Sequence, residues 1–214
     1  MGKYLRKNLP EGERKMKWHF TDIRTKSLDD YTAAFHALTP EKRARVDKIR
    51  QKKDKMRTVF ADALARELLS EALGYPSDAL EFTLGEYGKP LLKGGECFFN
   101  VSHCEDIVVA TVGEVPVGID VERIREISPY IAKKYFCHNE QVYLFGHEPR
   151  DTDFESVLSP EARMRFFELW TAKEAYLKCR GTGMTHVKTV DTTALSFERH
   201  LLLGDYLVSI YVEK

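Results

Sequence analysis

Cysteine is scarce in this chain, and its four copies, Cys97, Cys104, Cys137 and Cys179, form no C-x-x-C pair. That argues against a disulfide framework or a zinc site, and the thiols read as the reduced cysteines of a cytoplasmic protein. No apolar run approaches the roughly 20 residues a bilayer-spanning helix needs. The basic stretch Met1 to Lys17 has no apolar centre and is not a signal peptide. Net charge is absent too: 33 Lys and Arg balance 33 Asp and Glu, which argues against nonspecific nucleic-acid binding as the main task. Low-complexity tracts are missing. Gly85-Glu86-Tyr87-Gly88-Lys89-Pro90 has the wrong spacing for a Walker loop and no Ser or Thr after its Lys. Gly181-Thr182-Gly183 lacks the third glycine of a dinucleotide fingerprint. No Gly-x-Ser-x-Gly elbow surrounds Ser102, and Ser102 and His103, being adjacent, diverge, which disfavours a serine hydrolase.

What is present is a globular composition: 214 residues, 43% hydrophobic and 31% charged, enough for one large domain or two small ones. Residues 1–16 are expected to be a flexible arm. Trp18 to Ile23 alternates as a strand, and Leu28 to Leu38 reads as a short helix. Thr39-Pro40-Glu41 opens a long helical region reaching Leu73, where Gly74 stops it. Residues 41–57 carry nine cations: Lys42, Arg43, Arg45, Lys48, Arg50, Lys52, Lys53, Lys55 and Arg57. Such a stretch is more often a solvated face than a site, and gains interest only for a multiply charged anion. Met56, Val59, Phe60, Ala63, Leu64, Leu68 and Leu73 form an apolar stripe. Leu80 to Leu84, Phe98 to Val101, Ile107 to Val112 and Val117 to Val121 read as strands, with Glu114-Val115-Pro116 as a join. Ser128-Pro129 and Ser159-Pro160 each open a helix, the second ending at Arg180 before Gly181. Thr189 to Phe197 and Tyr206 to Val212 are expected as closing strands. The order of elements occurs roughly twice, which fits a duplicated α+β architecture.

Two segments carry chemistry. In Gly118-Ile119-Asp120-Val121-Glu122 the two acids share one face of a strand, about 6–7 Å apart. Their repulsion is roughly 2–3 kcal/mol at an effective dielectric of about 20. Either a cation offsets it, or Arg123 and Arg125 do so at an ordinary solvated strand end. In Trp170-Thr171-Ala172-Lys173-Glu174-Ala175-Tyr176-Leu177-Lys178, Glu174 and Lys178 lie one turn apart. Taken alone, that pair reads as an ordinary helix ion pair. Taken together, three acids and a lysine suit a divalent cation holding a phosphorylated ligand. Oxygen-only donors favour magnesium, or manganese, over zinc. With no glycine cradle, phosphate would be held by side chains. The candidates are Lys42 and Arg45, three apart on one helical face, with Arg57, Lys89, His103 and Lys178.

The motifs in order are Thr39-Pro40-Glu41-Lys42-Arg43, Arg57-Thr58, Gly88-Lys89-Pro90, Phe99-Asn100-Val101-Ser102-His103, Gly118 to Glu122, Trp170 to Ala175 with Lys178, and Gly181-Thr182-Gly183. They resemble the surfactin-type 4'-phosphopantetheinyl transferases over roughly residues 39–183. The resemblance implies an α+β, pseudo-duplicated fold of two halves, each a small antiparallel sheet packed with helices. The first half, 17–113, would bind the nucleotide and 3'-phosphate of coenzyme A, and the second, 117–214, would carry the metal and catalytic residues. The implied reaction moves phosphopantetheine from coenzyme A to a serine of an apo acyl or peptidyl carrier protein, releasing 3',5'-ADP. By motif match, Asp120, Glu122 and Glu174 would hold magnesium on the pyrophosphate. Lys178 and His103 would contact phosphates. Lys42, Arg45 and Arg57 would grip the 3'-phosphate, and Gly88, Lys89, Pro90 and Ser102 would surround the adenine. Glu174, or a water held by the metal beside it, would take the proton of the attacking serine; with Lys178 and His103 it makes up the catalytic set.

The resemblance has departures. Cys104 stands where a serine is common, Lys134-Tyr135-Phe136 where Arg-Phe-Phe is usual, and the second half is expected to be short by a strand or two. A monomer is expected, with no nucleic-acid or membrane partner. The acidic carrier would dock on Ile124 to Tyr143, where Arg125, Lys133 and Lys134 interleave with Ile127, Tyr130, Ile131, Tyr135 and Phe136. A core role is the equal alternative for Ile131, Tyr135 and Phe136. The rival readings are a catalytically weak coenzyme A- or nucleotide-binding module, and a nucleic-acid binder using residues 41–57.

Overall fold

In the computed structural model, which describes residues 16–95, 97–185 and 187–214, two three-stranded antiparallel sheets share one core. The first has the order β1 (Met16–Asp22), β5 (Ile107–Gly113), β4 (Phe98–Cys104). The second has the order β6 (Val117–Arg123), β8 (Tyr206–Val212), β7 (Glu198–Leu202). The alternation of side chains along each strand decides what each face meets. On β5, Val108, Ala110 and Val112 pack against helix α3 (Lys52–Leu73), while Ile107 and Val109 meet Ile119, Val121, Val208 and Ile210 of the second sheet. A strand covered on both faces reads as an unbroken apolar run, and every residue of β5 is buried.

Helix α6 (Pro160–Arg180) covers the outer face of the second sheet. Ser159 caps its start, accepting from Ala162 N at 3.2 Å, and Gly181, with φ of 69°, ends it, as the sequence predicts. The helix lies so close to β6 that Gly118 cannot carry a side chain. A Cβ there would stand 1.9 Å from the Ala175 carbonyl oxygen and 2.6 Å from the Cys179 nitrogen. Beyond α6, helices α4 (Tyr130–Tyr135) and α5 (His138–Phe145) enclose Phe136, Leu144, Phe154, Phe166 and Phe167. Phe136 is fully buried, which settles its core role. Tyr135 stacks edge-on against Trp170, while Tyr130 remains exposed.

Several expectations are corrected. The region 40–73 is two helices, α2 (Pro40–Asp47) and α3, parted at residues 48–51. The break folds α2 back so that Val46 packs with Leu38 and Val59, and tertiary burial overrides local helical preference. The Ser128 side chain does not cap α4. Instead, the carbonyls of Ser128 and Pro129 accept from Ile131 and Ala132. The strand expected to begin at Leu80 begins at Phe82, and β2 (Phe82–Leu84) pairs with β3 (Pro90–Leu92) in a separate hairpin. Helix α1 (Leu28–Ala37) stands as expected.

The segment Thr189 to Phe197 is not a strand. It holds short 3-10 turns at Val187–Thr189 and Thr192–Ala194, and β7 starts only at Glu198. The cause is a buried ion pair. Lys173 Nζ lies 2.7 Å from Glu140 Oε2 and donates to the carbonyls of Val187 and Val190, while Glu140 Oε1 accepts from Thr192 N and Oγ1. The ion pair takes up backbone groups that a strand would have used in a ladder. Among the described residues the first half holds five strands, three in its sheet and two in the β2–β3 hairpin, and the second half holds three, all in one sheet. Residues 1–15 of the expected arm lie outside the described residues, and Met16 opens β1.

Gly118→Ala should cost about 3 kcal/mol or more in urea unfolding, because backbone of α6 would have to move. Gly85→Ala should cost under about 1 kcal/mol, since its Cβ meets nothing nearer than 3.4 Å.

Candidate active site

Helix α6, pressed onto β6 at Gly118, holds Glu174 and Lys178 over the strand that carries Asp120 and Glu122. Lys178 Nζ lies 2.5 Å from Asp120 Oδ1 and 2.8 Å from Ser102 Oγ, and Ser102 donates to the same carboxylate oxygen at 2.8 Å. Three residues from α6, β4 and β6 thus close a triangle across the two sheets. The Glu174–Lys178 spacing does not produce an ordinary helix pair, because the ammonium turns to Asp120. Asp120 itself is 4% exposed, and its second oxygen, Oδ2, is buried without a hydrogen-bond partner among the described residues.

The neighbouring acids are held at a cost. Burial and then the Asp120 charge push the Glu122 carboxyl above its usual range, and the same two causes raise Glu174. Among the described residues Glu122 has only weak company, the Cys104 thiol at 3.5 Å and Arg125 at 3.9 Å. Arg123, the other expected counter-charge, is turned away to Glu105 and Asp205. Cys104, pressed against Glu122, has its own pKa pushed up to about 11, chiefly by burial.

A cationic side faces this acidic one. Arg57 of α3 pairs through Nη2 with Asp54, one turn back, yet its Nε is buried without a partner among the described residues. His103, exposed at the end of β4, has its pKa lowered by desolvation and then by the Arg57 charge, with Lys178 adding to the effect. The hairpin supplies Lys89, whose Nζ donates to the Cys179 carbonyl at 3.0 Å in the last turn of α6 and whose pKa is lowered by burial. Gly88, with φ of 77°, makes the preceding turn, and Pro90 begins β3.

Asp120, Glu122, Glu174, Lys178, Ser102, His103 and Arg57 therefore converge. Lys42 is directed elsewhere: its ammonium sits 2.6 Å from Asp62, a buried acid that also binds Arg66. Arg45 is exposed on α2. Asp54, Asp62 and Arg66 escaped the sequence reading, although the i,i+3 and i,i+4 spacings of the two helix pairs, Asp54–Arg57 and Asp62–Arg66, were there to be seen.

Two family models match the chain from end to end of this cleft. One, described as the 4'-phosphopantetheinyl transferase superfamily, matches residues 116–209; the other, 4'-phosphopantetheinyl transferase, N-terminal, matches residues 25–115. The chain is 33% identical over 184 residues to 4'-phosphopantetheinyl transferase psf-1 of Bacillus pumilus, covering 81% of this chain and 73% of that one. The chain belongs to the surfactin-type 4'-phosphopantetheinyl transferase family. Other family members are similar over shorter stretches. 4'-Phosphopantetheinyl transferase gsp of Aneurinibacillus migulanus is 38% identical over 132 residues, 62% of this chain and 51% of that one. 4'-Phosphopantetheinyl transferase Sfp of Bacillus subtilis is 31% identical over 150 residues, 69% of this chain and 62% of that one.

Within this family member, two groups of acids compete for attention as cation ligands. Cys137, Glu140 and Asp191 bring ligand atoms within 4.8 Å of one another. Their oxygens are already taken: Lys173, Thr192 and Cys137 N bind Glu140, and Asn139 and Thr193 bind Asp191. That trio is a hydrogen-bonded lock. Asp120, Glu122 and Glu174 are not gathered so tightly, but among the described residues they alone offer a buried carboxylate oxygen without a donor beside two acids of raised pKa. Their all-oxygen donor set suits a hard divalent cation.

The raised acids predict a pH effect. A carboxyl whose folded pKa exceeds its unfolded one leaves stability intact at low pH and removes it as pH rises through the folded value. Glu174→Gln should therefore melt above the parent at pH 7 in chelator, with the gain closing below the ordinary carboxyl value of 4.5. Asp120→Asn should instead melt lower, by about 1–3 kcal/mol, because Lys178 loses its charged partner. Thermal melts from pH 4 to 8 check both.

Proposed function

We propose that this protein transfers the 4'-phosphopantetheine arm of coenzyme A to a serine hydroxyl of an apo acyl or peptidyl carrier protein, releasing 3',5'-ADP. The observation that carries this reading is a pair of orphaned atoms. Asp120 Oδ2 accepts nothing and Arg57 Nε donates to nothing among the described residues, and both are buried. A ligand that satisfies both must bring a cation to one side and an anion to the other. A divalent cation on a pyrophosphate, joined to a further phosphate, has that composition.

Asp120, Glu122 and Glu174 would hold magnesium, or manganese, which when bound offsets charge at the pyrophosphate as its bond breaks. Lys178, already 2.5 Å from Asp120, is placed to move its ammonium onto phosphate oxygen. His103, its pKa lowered by desolvation and the Arg57 charge, would offer a ring N–H to the same oxygens. Arg57 would grip the 3'-phosphate with help from Lys42 and Arg45. Lys42 can take part only by sharing itself with Asp62, so Arg57 carries most of that recognition. Gly88, Lys89, Pro90 and Ser102 would surround the adenine, Lys89 while staying bonded to α6. Glu174, with its carboxyl raised towards neutrality, is the group suited to take the serine proton.

In this division of labour the first half, 17–113, serves the nucleotide and the second, 117–214, the metal and the proton. No described helix is long and apolar enough to cross a membrane. The four unpaired thiols favour a cytoplasmic enzyme, which we propose acts as a monomer. Of the docking cations, Lys133 is paired with Asp151 at 2.7 Å, which leaves Arg125 and Lys134 freer to meet an acidic carrier.

Incubation with coenzyme A, magnesium and a panel of apo carriers should add one phosphopantetheine to at least one carrier, read by intact-protein mass. No gain on any carrier refutes the proposal. Asp120→Asn should lower transfer by about 100-fold or more. Arg57→Ala should weaken coenzyme A by about 10-fold or more while leaving dephospho-coenzyme A little changed, because only the former has the phosphate that Arg57 binds; equal losses for the two ligands would remove Arg57 from that role.

A further inference from the structure

The two sheets meet where β4, an edge strand of the first, runs beside β6, an edge strand of the second. No backbone ladder joins them. Side chains on one face of β4 do so instead, at every second residue. Asn100 Oδ1 accepts from Ile119 N at 3.0 Å, Ser102 Oγ meets Asp120 at 2.8 Å, and Cys104 Sγ meets Glu122 at 3.5 Å. The last two contacts fall on groups that the proposed ligand and cation would engage. The first does not. Asn100 is 7% exposed, and the Ile119 N–H it receives belongs to a fully buried residue, so the contact is sheltered from water and from ligand alike.

We propose that Asn100 is a positioning residue: its bond to Ile119 sets the register of β4 against β6, and so brings Ser102 of one half to the acids of the other. This rests on the functional reading above. The geometry leaves little room for a weaker role. Successive residues along a strand are about 3.3 Å apart, so a slide of β4 by a fraction of one residue separates Ser102 from Asp120. Ser102 is then lost to Lys178 as well, and the triangle opens. Nothing else on that face of β4 is both buried and free of the chemistry.

Two substitutions separate positioning from bulk stability. Asn100→Leu removes the acceptor at nearly the same volume. Asn100→Gln keeps the acceptor but sets it one methylene further out, so it should fold while displacing β4. Leu69→Ala, in the α3 core at 0% exposure, loosens the first half without touching β6. The readouts are the manganese dissociation constant, from the electron-paramagnetic signal of free Mn2+, and kcat against KM for transfer. Asn100→Gln should weaken manganese about 10-fold and lower kcat about 10- to 100-fold, with KM for the carrier within about twofold of the parent. Leu69→Ala should melt lower yet keep manganese affinity and kcat within about twofold. Asn100→Leu should match or exceed Asn100→Gln; if it does not fold, Asn100→Gln decides. The inference is overturned if folded Asn100→Gln keeps the parent's manganese affinity and kcat, or if Leu69→Ala loses them equally. A wild-type protein that modifies no carrier refutes the functional reading, and equal manganese affinities of wild type and Asn100→Gln then overturn the role of Asn100 separately.

Discussion

Helix α6 approaches β6 closely enough to forbid a Cβ at Gly118, and the cleft depends on that approach. One side chain on the strand would lift the helix by at least the width of a methyl group. Lys178 would then leave Asp120, to which it is bonded at 2.5 Å, and Glu174 would leave the neighbourhood of Glu122. The glycine of Gly-x-Asp-x-Glu is therefore a spacing device, and the acids two and four residues on are useful only because of it. A long helix gives the contact stiffness: α6 is capped at both ends, packs Ala172, Ala175 and Cys179 inward, and so transmits the close fit at Gly118 along its length to Lys178.

The same helix is fixed from its other side by charge. Lys173 is 1% exposed and would be a heavy liability unpaired, yet Glu140 and two carbonyls of the segment following α6 satisfy its ammonium. Adjacent residues of one helix thus have opposite duties. Lys173 looks into a closed hydrogen-bonded lock and gives α6 a single rotational setting, while Glu174 looks into the cleft with no ion pair among the described residues. A buried pair of this kind contributes little net stability against an apolar pair of the same shape. Its contribution is that only one rotation of α6 satisfies it, and that rotation is the one that aims Glu174 and Lys178.

What the sequence reveals of this molecule follows the range of the interactions involved. Strands β5, β6 and β8 and helix α6 announce themselves through continuous apolar runs, Ser159-Pro160 and Gly181, because their causes lie within a few residues. The family resemblance is legible for the same reason: its motifs are short and rigidly spaced. The break at residues 48–51 is not local, for it exists to bury Val46 against Val59. Nor is the loss of the strand at Thr189 to Phe197, which Lys173 and Glu140 impose from other helices. In the cleft, the residue types and their grouping are legible, but partners are not. Lys178 reads as the mate of Glu174 and turns out to hold Asp120; Lys42 reads as a free cation and turns out to serve Asp62. Each partner is chosen by packing between elements distant in sequence, and no spacing rule encodes it.

Balanced totals conceal the polarity on which the cleft runs. The chain carries equal numbers of acids and bases, but the second half gathers Asp120, Glu122 and Glu174 and the first presents Arg57 with His103 beside it. The surroundings work on both sides in the same sense: burial raises Glu122 and Glu174 towards the neutral form, and desolvation with the Arg57 charge depresses His103, which keeps an exposed edge, towards neutrality. The charged form is thus disfavoured at Glu122, Glu174 and His103, while Lys178 pairs with Asp120 and Asp54 with Arg57. The proposed ligand, carrying both a cation and phosphates, would reverse this. The cation would favour ionised Glu122 and Glu174, and the phosphates would favour a charged His103 and draw on Arg57 and Lys178. Neither a bare cation nor a bare phosphate would do so on both sides, so on the proposed function the two would bind best together, through the relief of desolvation as well as through any one contact.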